Sequence, residues 1–218
     1  MTKLVAIVGA TGLQGGSVLK TLYASGKYKI RALTRSKSSD KATALVEKYP
    51  GIELAEADLD NVESLRQAFS GADIVFGMTD MSSVMTRVLS GEMDAEFTQG
   101  KNIVDAAIDA GVSTIVYSGM NSANKISGGK YTKILSFESK HKAEEYLLSK
   151  SNVIDGFVVY LGSYMKNFLD YACISAKDNR TVEFNSPLNP TTQLPFVDVA
   201  NDTGPVVEYI LDHPNECR

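Results

Sequence analysis

The sequence is poor in the features that mark metal sites, secretion or membrane insertion. Its two cysteines, Cys173 and Cys217, are far apart and form neither a metal-ligand spacing nor a CxxC pair. Reduced thiols and no bound metal are therefore expected. No apolar run approaches the roughly 20 residues that cross a bilayer. Leu4–Val8 is too short for the core of a secretion leader, and no charged segment precedes it. Basic residues are in slight deficit, 22 Lys and Arg against 26 Asp and Glu, for a net charge of −4. That balance gives no general attraction for nucleic acid or an anionic membrane. Internal repeats and low-complexity tracts are missing too. These absences point to a cytoplasmic or nuclear globular chain, and 218 residues suit one domain with at most a small appended lobe.

What is present is an alternation. Short apolar, β-branched runs at Leu4–Val8, Ile30–Leu33, Ile52–Glu56, Ile74–Met78, Thr114–Ser118 and Gly156–Tyr160 read as strands. Amphipathic stretches at Leu13–Ser25, Asp40–Lys48, Val62–Ser70, Ala95–Ala110 and Leu135–Leu148 read as helices between them. In Ala95–Ala110, for example, Ile103, Ala106, Ala107 and Ala110 recur at three- and four-residue steps. Strands apolar on both faces and separated by helices predict a parallel sheet covered on each side, an α/β doubly wound fold. Residues 1–160 carry this rhythm. After Tyr160 it is lost in a polar stretch (DNR, NSP, NPTT) until one helix returns near Asp198, so 161–218 reads as a small substrate-side lobe.

The string GATGLQGGS, residues 9–17, joins the first strand to the first helix. A dinucleotide seat needs a tight turn, a close backbone approach to pyrophosphate and tight helix-on-strand packing, and glycine serves all three because it has no Cβ. Gly9 supplies the turn, Gly12 the approach and Gly15 or Gly16 the packing contact. The N–H groups of Gly12, Leu13 and Gln14 face the phosphates, and Thr11 adds a hydroxyl. An NAD seat carries an acidic residue about 20 positions further on for the ribose 2′-hydroxyl. Here no carboxylate stands between Lys27 and Ser39, and Arg35 occupies the place. With Lys37 and the hydroxyls of Thr34 and Ser36 it suits a 2′-phosphate, which favours NADP(H) over NAD. Asp58, with Leu59 beside it, falls where such folds cap the adenine. Phe76–Thr79 falls along the nicotinamide-side ribose.

A tyrosine followed four residues on by lysine is the proton-transfer pair of short-chain reductases. Tyr23–Lys27 and Tyr146–Lys150 have the spacing but sit at helix C-terminal ends, away from the cofactor edge. The well-placed lysine is Lys140, and four residues before it stands Ser136, whose hydroxyl is a poor general acid near neutrality. Ser118 and Ser122 end the fifth strand, with Met120 between them.

GATGLQGG, RALTRS, VYSGMNS, FESKHKAEEYL and LGSYMKNFLDY, in that order, resemble the NmrA-like family of atypical short-chain dehydrogenases over essentially the whole chain. The resemblance implies a Rossmann domain that binds NADP or NAD, frequent loss of catalysis, and a role as redox sensor or transcriptional co-regulator through a protein partner or a second copy. Carried over, it places the glycine motif on Gly9, Gly12 and Gly15, the phosphate-side arginine on Arg35 and the ribose-side lysine on Lys140. Similarity to isoflavone-reductase-like enzymes, through Phe137 and Lys140, implies the alternative: an NADPH-dependent reductase of a carbonyl, quinone or phenylpropanoid-like substrate, with Lys140 as base. Members of the family usually continue well past the helix ending near Asp212. Against them, an end at Arg218 implies a partly unroofed substrate pocket and a sheet edge open to a partner.

Overall fold

The computed structural model describes residues 2–170, 174–178, 181–184, 188–189 and 191–217. Cys173, Asn179, Arg180 and residues 185–187, all part of the sequence reading, lie outside them. In chain order the elements are β1 (Leu4–Ile7), α1 (Leu13–Ser25), β2 (Lys29–Thr34), α2 (Asp40–Lys48), β3 (Glu53–Glu56), α3 (Val62–Phe69) and β4 (Ile74–Gly77). There follow α4 (Met81–Leu89), α5 (Ala95–Asp109), β5 (Thr114–Gly119), α6 (Ala123–Ile126), α7 (Leu135–Leu148) and β6 (Asp155–Tyr160). The chain closes with β7 (Ser163–Tyr164), α8 (Asn167–Asp170), β8 (Ile174–Asp178), β9 (Thr181–Phe184), β10 (Phe196–Val197) and α9 (Val199–Asp212).

β1 to β6 form one parallel sheet in the order β3-β2-β1-β4-β5-β6. Because successive side chains on a strand point to opposite faces, each central strand feeds two cores. On β1, Leu4, Ala6 and Val8 enter the layer filled by Leu65, Phe69, Ile103, Ala107, Ala143 and Leu147 of α3, α5 and α7. Val5 and Ile7 enter the opposite layer with Val18, Leu19 and Leu22 of α1 and Val207 and Ile210 of α9. The predicted doubly wound sheet is therefore present, each strand and helix within a residue or two of its expected bounds.

Three helices have no counterpart in the sequence reading: α4, α6 and the four-residue α8. α4 buries only Val84, while Met81, Met85 and Leu89 are exposed, so it presents no buried apolar stripe for a periodicity argument to find. α6 is a single turn, capped by Ser122 Oγ accepting from the Lys125 N–H. Beyond β6 the described strands make two small two-stranded pairs, β10 with β7 in parallel and β8 with β9 antiparallel. Among the described residues no helix is long and apolar enough to cross a membrane.

α9 lies flat on α1 because Gly204 offers no side chain. A Cβ there would stand 2.2 Å from Thr21 Oγ1 and 2.3 Å from the Ser17 carbonyl oxygen. The Gly204 N–H instead donates to Ser17 Oγ at 2.9 Å, which satisfies the hydroxyl within the contact. Gly204→Ala should thus wedge the two helices apart and cost about 1–3 kcal/mol, in the range for overpacking a core. Urea unfolding checks this; an unchanged midpoint and slope would contradict the close contact.

Candidate functional site

In a parallel sheet the loops following the strands gather along one edge, and ligands bind in the crevice at the point where strand order reverses. Here that point lies between β1 and β4. The turn after β1 is built by glycine. Gly9 takes a left-handed φ of +67°, which turns the chain off the strand, and a Cβ there would also meet Met78 Sδ at 2.9 Å. Gly12 is the N-cap of α1, its N–H bonded to the Gly9 carbonyl at 2.8 Å. Gly15 sits where a Cβ would lie 2.4 Å from that same carbonyl oxygen, so α1 can start this close to β1 only with hydrogen at the position. No side chain caps α1 and no acidic residue lies in its first turn. The first-turn N–H groups and the positive end of the helix dipole thus have no side-chain cap and no carboxylate within the turn.

The other expected site residues lie along this edge. Arg35 and Lys37 follow β2, Asp58 and Leu59 follow β3, and Thr79 follows β4, while Ser118 ends β5 as a buried residue. Their contacts differ in kind. The Arg35 side chain is 78% exposed and pairs with Asp80 Oδ2 at 3.2 Å. The Lys37 N–H donates to Glu56 Oε1 at 2.9 Å. Carboxylates missing from residues 27–39 are therefore supplied in space, by the N-cap of α4 and the end of β3. The Thr34 hydroxyl is spent on the turn itself, donating to the Ser36 carbonyl at 3.2 Å. Asp58 is exposed, and its Oδ1 accepts from the Asp60 N–H at 2.9 Å. The Leu59 carbonyl accepts from Asn102 Nδ2 at 2.9 Å. Phe76, expected along a ribose, has its whole side chain in the core; Met78 and Thr79 are the residues of that run at the edge.

Sequence reasoning missed Tyr164, because it stands after the rhythm fails. Its hydroxyl accepts from Gln14 Nε2 at 2.7 Å, which ties β7 to the first turn of α1. Burial pushes the Tyr164 phenol above the usual range, so it is a weaker acid than a free tyrosine. Tyr160, at the end of β6, donates to Glu144 Oε1 at 2.5 Å and is pushed up to about 12, first by burial and then by that carboxylate. The two Tyr-x-x-x-Lys strings serve packing: Tyr23 donates to the Pro50 carbonyl and Tyr146 to Asp105 Oδ1. Ser136 is exposed.

Lys140 reaches the edge from α7, and three elements meet at its Nζ. It donates to Thr79 Oγ1 at 2.7 Å, after β4, and to Glu96 Oε1, in the first turn of α5. Thr79 Oγ1 in turn donates to Glu96 Oε1 at 2.9 Å. The meeting depends on Gly100 one turn along α5, where a Cβ would stand 2.4 Å from Ala143 Cβ and 2.7 Å from Tyr117 Oη. Only hydrogen at 100 and a methyl at 143 let the helices come this near. Burial draws the Lys140 ammonium down from the lysine range to about 8. Among the described residues no cluster of His, Cys, Asp or Glu gathers as a metal site.

The sheet order and the glycine turn at its reversal point define a Rossmann-like α/β protein. Within that class the chain belongs to the NmrA-like family, whose sequence profile matches residues 1–218. The NmrA-like family domain-containing oxidoreductase FrzB of a Cladobotryum species is 36% identical over 78% of this chain and 49% of its own length. The oxidoreductase cpsB of Aspergillus campestris is 31% identical over 97% of this chain and 64% of its own. The chain thus spans about half to two thirds of the relatives it matches. The crystal structure of NmrA, a negative transcriptional regulator, superposes with a TM-score of 0.84 at 26% identity, covering 100% of this chain and 65% of that one. NmrA has also been crystallised with NADP and with NAD.

Glu96 is 2% exposed and its Oε2 has no hydrogen-bond partner among the described residues, so the ammonium of Lys140 carries most of its compensation. Lys140→Ala should cost about 3–5 kcal/mol of stability, the range for stranding one charge of a buried pair. The double variant Lys140→Met, Glu96→Gln should recover most of the loss in urea unfolding. A Lys140→Ala chain as stable as the parent would refute the pairing.

Proposed function

We propose that this chain is a dinucleotide-binding regulatory protein of the NmrA-like family, with NADP(H) its preferred ligand. The observation that carries the reading is the glycine turn: Gly9 at positive φ, Gly15 against the Gly9 carbonyl, and a first helical turn with no anion of its own. A pyrophosphate laid on those N–H groups supplies the missing negative charge. Arg35, mostly exposed at the end of β2, holds the 2′-phosphate by leaving Asp80 for it. Lys140 and Thr79 hold the nicotinamide-side ribose. NmrA, similar over the whole of this chain, is described as a negative transcriptional regulator and binds both dinucleotides. Occupancy would bias a surface that a partner protein or a second copy reads.

The missing phenolic acid beside Lys140 supports regulation over reduction. A second reading keeps one observation on its side: a buried lysine drawn to about 8 is suited to proton transfer. With relatives named oxidoreductases, it makes the chain an NADPH-dependent reductase using Lys140 in place of tyrosine.

Thermal unfolding in the presence of each dinucleotide tests the seat. At ten times its dissociation constant, a bound ligand should add about 1.4 kcal/mol of stability. No shift with NADP, NADPH, NAD or NADH would end both readings. Arg35→Glu should weaken NADP by ten-fold or more while barely changing NAD, since a charge reversal at a phosphate contact costs more than 1.4 kcal/mol. Equal losses would remove the 2′-phosphate role. Steady NADPH consumption on carbonyl or quinone substrates, abolished in Lys140→Ala with NADPH still bound, would favour the reductase.

A further inference from the structure

We propose that Glu96 is the positioning residue of this site: its buried carboxylate fixes Lys140 Nζ against Thr79 Oγ1 and keeps it a charged hydrogen-bond donor. The inference rests on the reading of Lys140 as a dinucleotide-holding group. It goes beyond that reading in naming the residue through which Lys140 is held and tuned.

Three observations carry it. Glu96 lies on the buried face of α5, in line with Gln99, Gly100, Ile103 and Ala107, a place otherwise given to small or apolar groups and two amides, Gln99 and Asn102. A carboxylate there is costly unless paired. Next, one oxygen, Oε1, takes both the Lys140 ammonium and the Thr79 hydroxyl, while Oε2 has no partner among the described residues. The carboxylate is therefore turned toward the lysine rather than spread over a polar network. Finally, the other charged groups on the elements packed around Lys140 are engaged elsewhere. Asp80 pairs with Arg35, Asp94 with Lys142, and Glu138 accepts from Ser122 and the Asn124 N–H. The next residue of α7, His141, lies 3.6 Å from both Glu144 and Glu145, one turn on.

Burial and Glu96 act on Lys140 in opposite senses. Burial disfavours the ammonium, and a carboxylate in contact favours it. Burial draws the midpoint down to about 8, and the carboxylate in contact with Nζ opposes that fall. Without the carboxylate that opposition is lost and the midpoint falls. Lys140 then loses a donor proton and the charge that attracts a dinucleotide.

The test is a pH titration of the Lys140 side chain by NMR of lysine-labelled protein, Lys140 being assigned through Lys140→Arg. In the ligand-free chain, Glu96→Gln should lower the Lys140 midpoint by about one pH unit or more. An unchanged midpoint would overturn the proposal. If Glu96→Gln does not fold, Glu96→Asp draws the carboxylate back by one methylene and carries the same test: a lower midpoint supports the role and an unchanged one removes it. NADPH affinity is then measured from pH 6 to 8. The parent should hold its affinity to about pH 7, whereas Glu96→Gln should lose about ten-fold as pH rises across that window. Parallel curves for the two proteins would also overturn the proposal. A parent that binds no dinucleotide would defeat the proposed function alone, because the titration in the ligand-free chain still decides the role of Glu96.

Discussion

Two close approaches of backbone, each possible only without a side chain, hold this structure's edge together. At Gly15 the first helix comes so near the turn after β1 that a Cβ would collide with the Gly9 carbonyl. At Gly100 helix α5 comes so near α7 that a Cβ would collide with Ala143. The first contact sets the start of α1 at the point where the strand order reverses. The second sets the distance across which Glu96 and Lys140 meet. Widening either by the size of a methyl would leave the same sheet and the same helices, but the polar groups along the edge would no longer be in register.

The two halves of the edge carry opposite electrostatic designs. On the glycine side, no side chain caps the positive end of α1, and Arg35, after β2 on the same edge, is exposed and paired with Asp80 at 3.2 Å. Exposed pairs of this kind contribute little to stability, so exchanging Asp80 for a phosphate costs the fold little. On the lysine side, charge is buried and committed. Lys140 and Glu96 are 15% and 2% exposed, and each depends on the other to offset its desolvation. One half leaves its charge exposed, the other buries and pairs it.

The sheet and its main helices were legible because burial on both faces leaves a plain mark: apolar runs of strand length, separated by helix-length stretches with one apolar face. α4 was not, because its exposed Met81, Met85 and Leu89 and single buried Val84 invert that mark. The strands past Tyr160 are too short, and too polar between, to leave one. The glycine loop was legible from spacing alone, since steric need and residue type correspond one to one. The partners of its neighbours were not: Asp80 lies 45 positions from Arg35 in sequence, and the two meet only because the loops after β2 and β4, the strands flanking β1, open on the same edge of the sheet.

Glu96 shows where such a reading could have gone further. It falls seven residues before Ile103, two helical turns down the stripe that defines the buried face of α5. An acidic residue in the stripe of a core-facing helix violates the pattern its neighbours obey. Buried carboxylates persist only when a cation or several donors meet them. The sequence thus poses a question, which cation meets Glu96, and narrows the answer to a lysine or arginine on a helix packed alongside. Lys140 sits likewise on the inward side of α7, next to buried Ser139 and one turn before Ala143 and Glu144. Two charges on two facing stripes are each an anomaly alone, and together they are a pair. A reading that stops at the loss of tyrosine at 136 sees only an impaired reductase. One that asks what holds Lys140 finds a buried ammonium with its own internal counter-charge, Glu96.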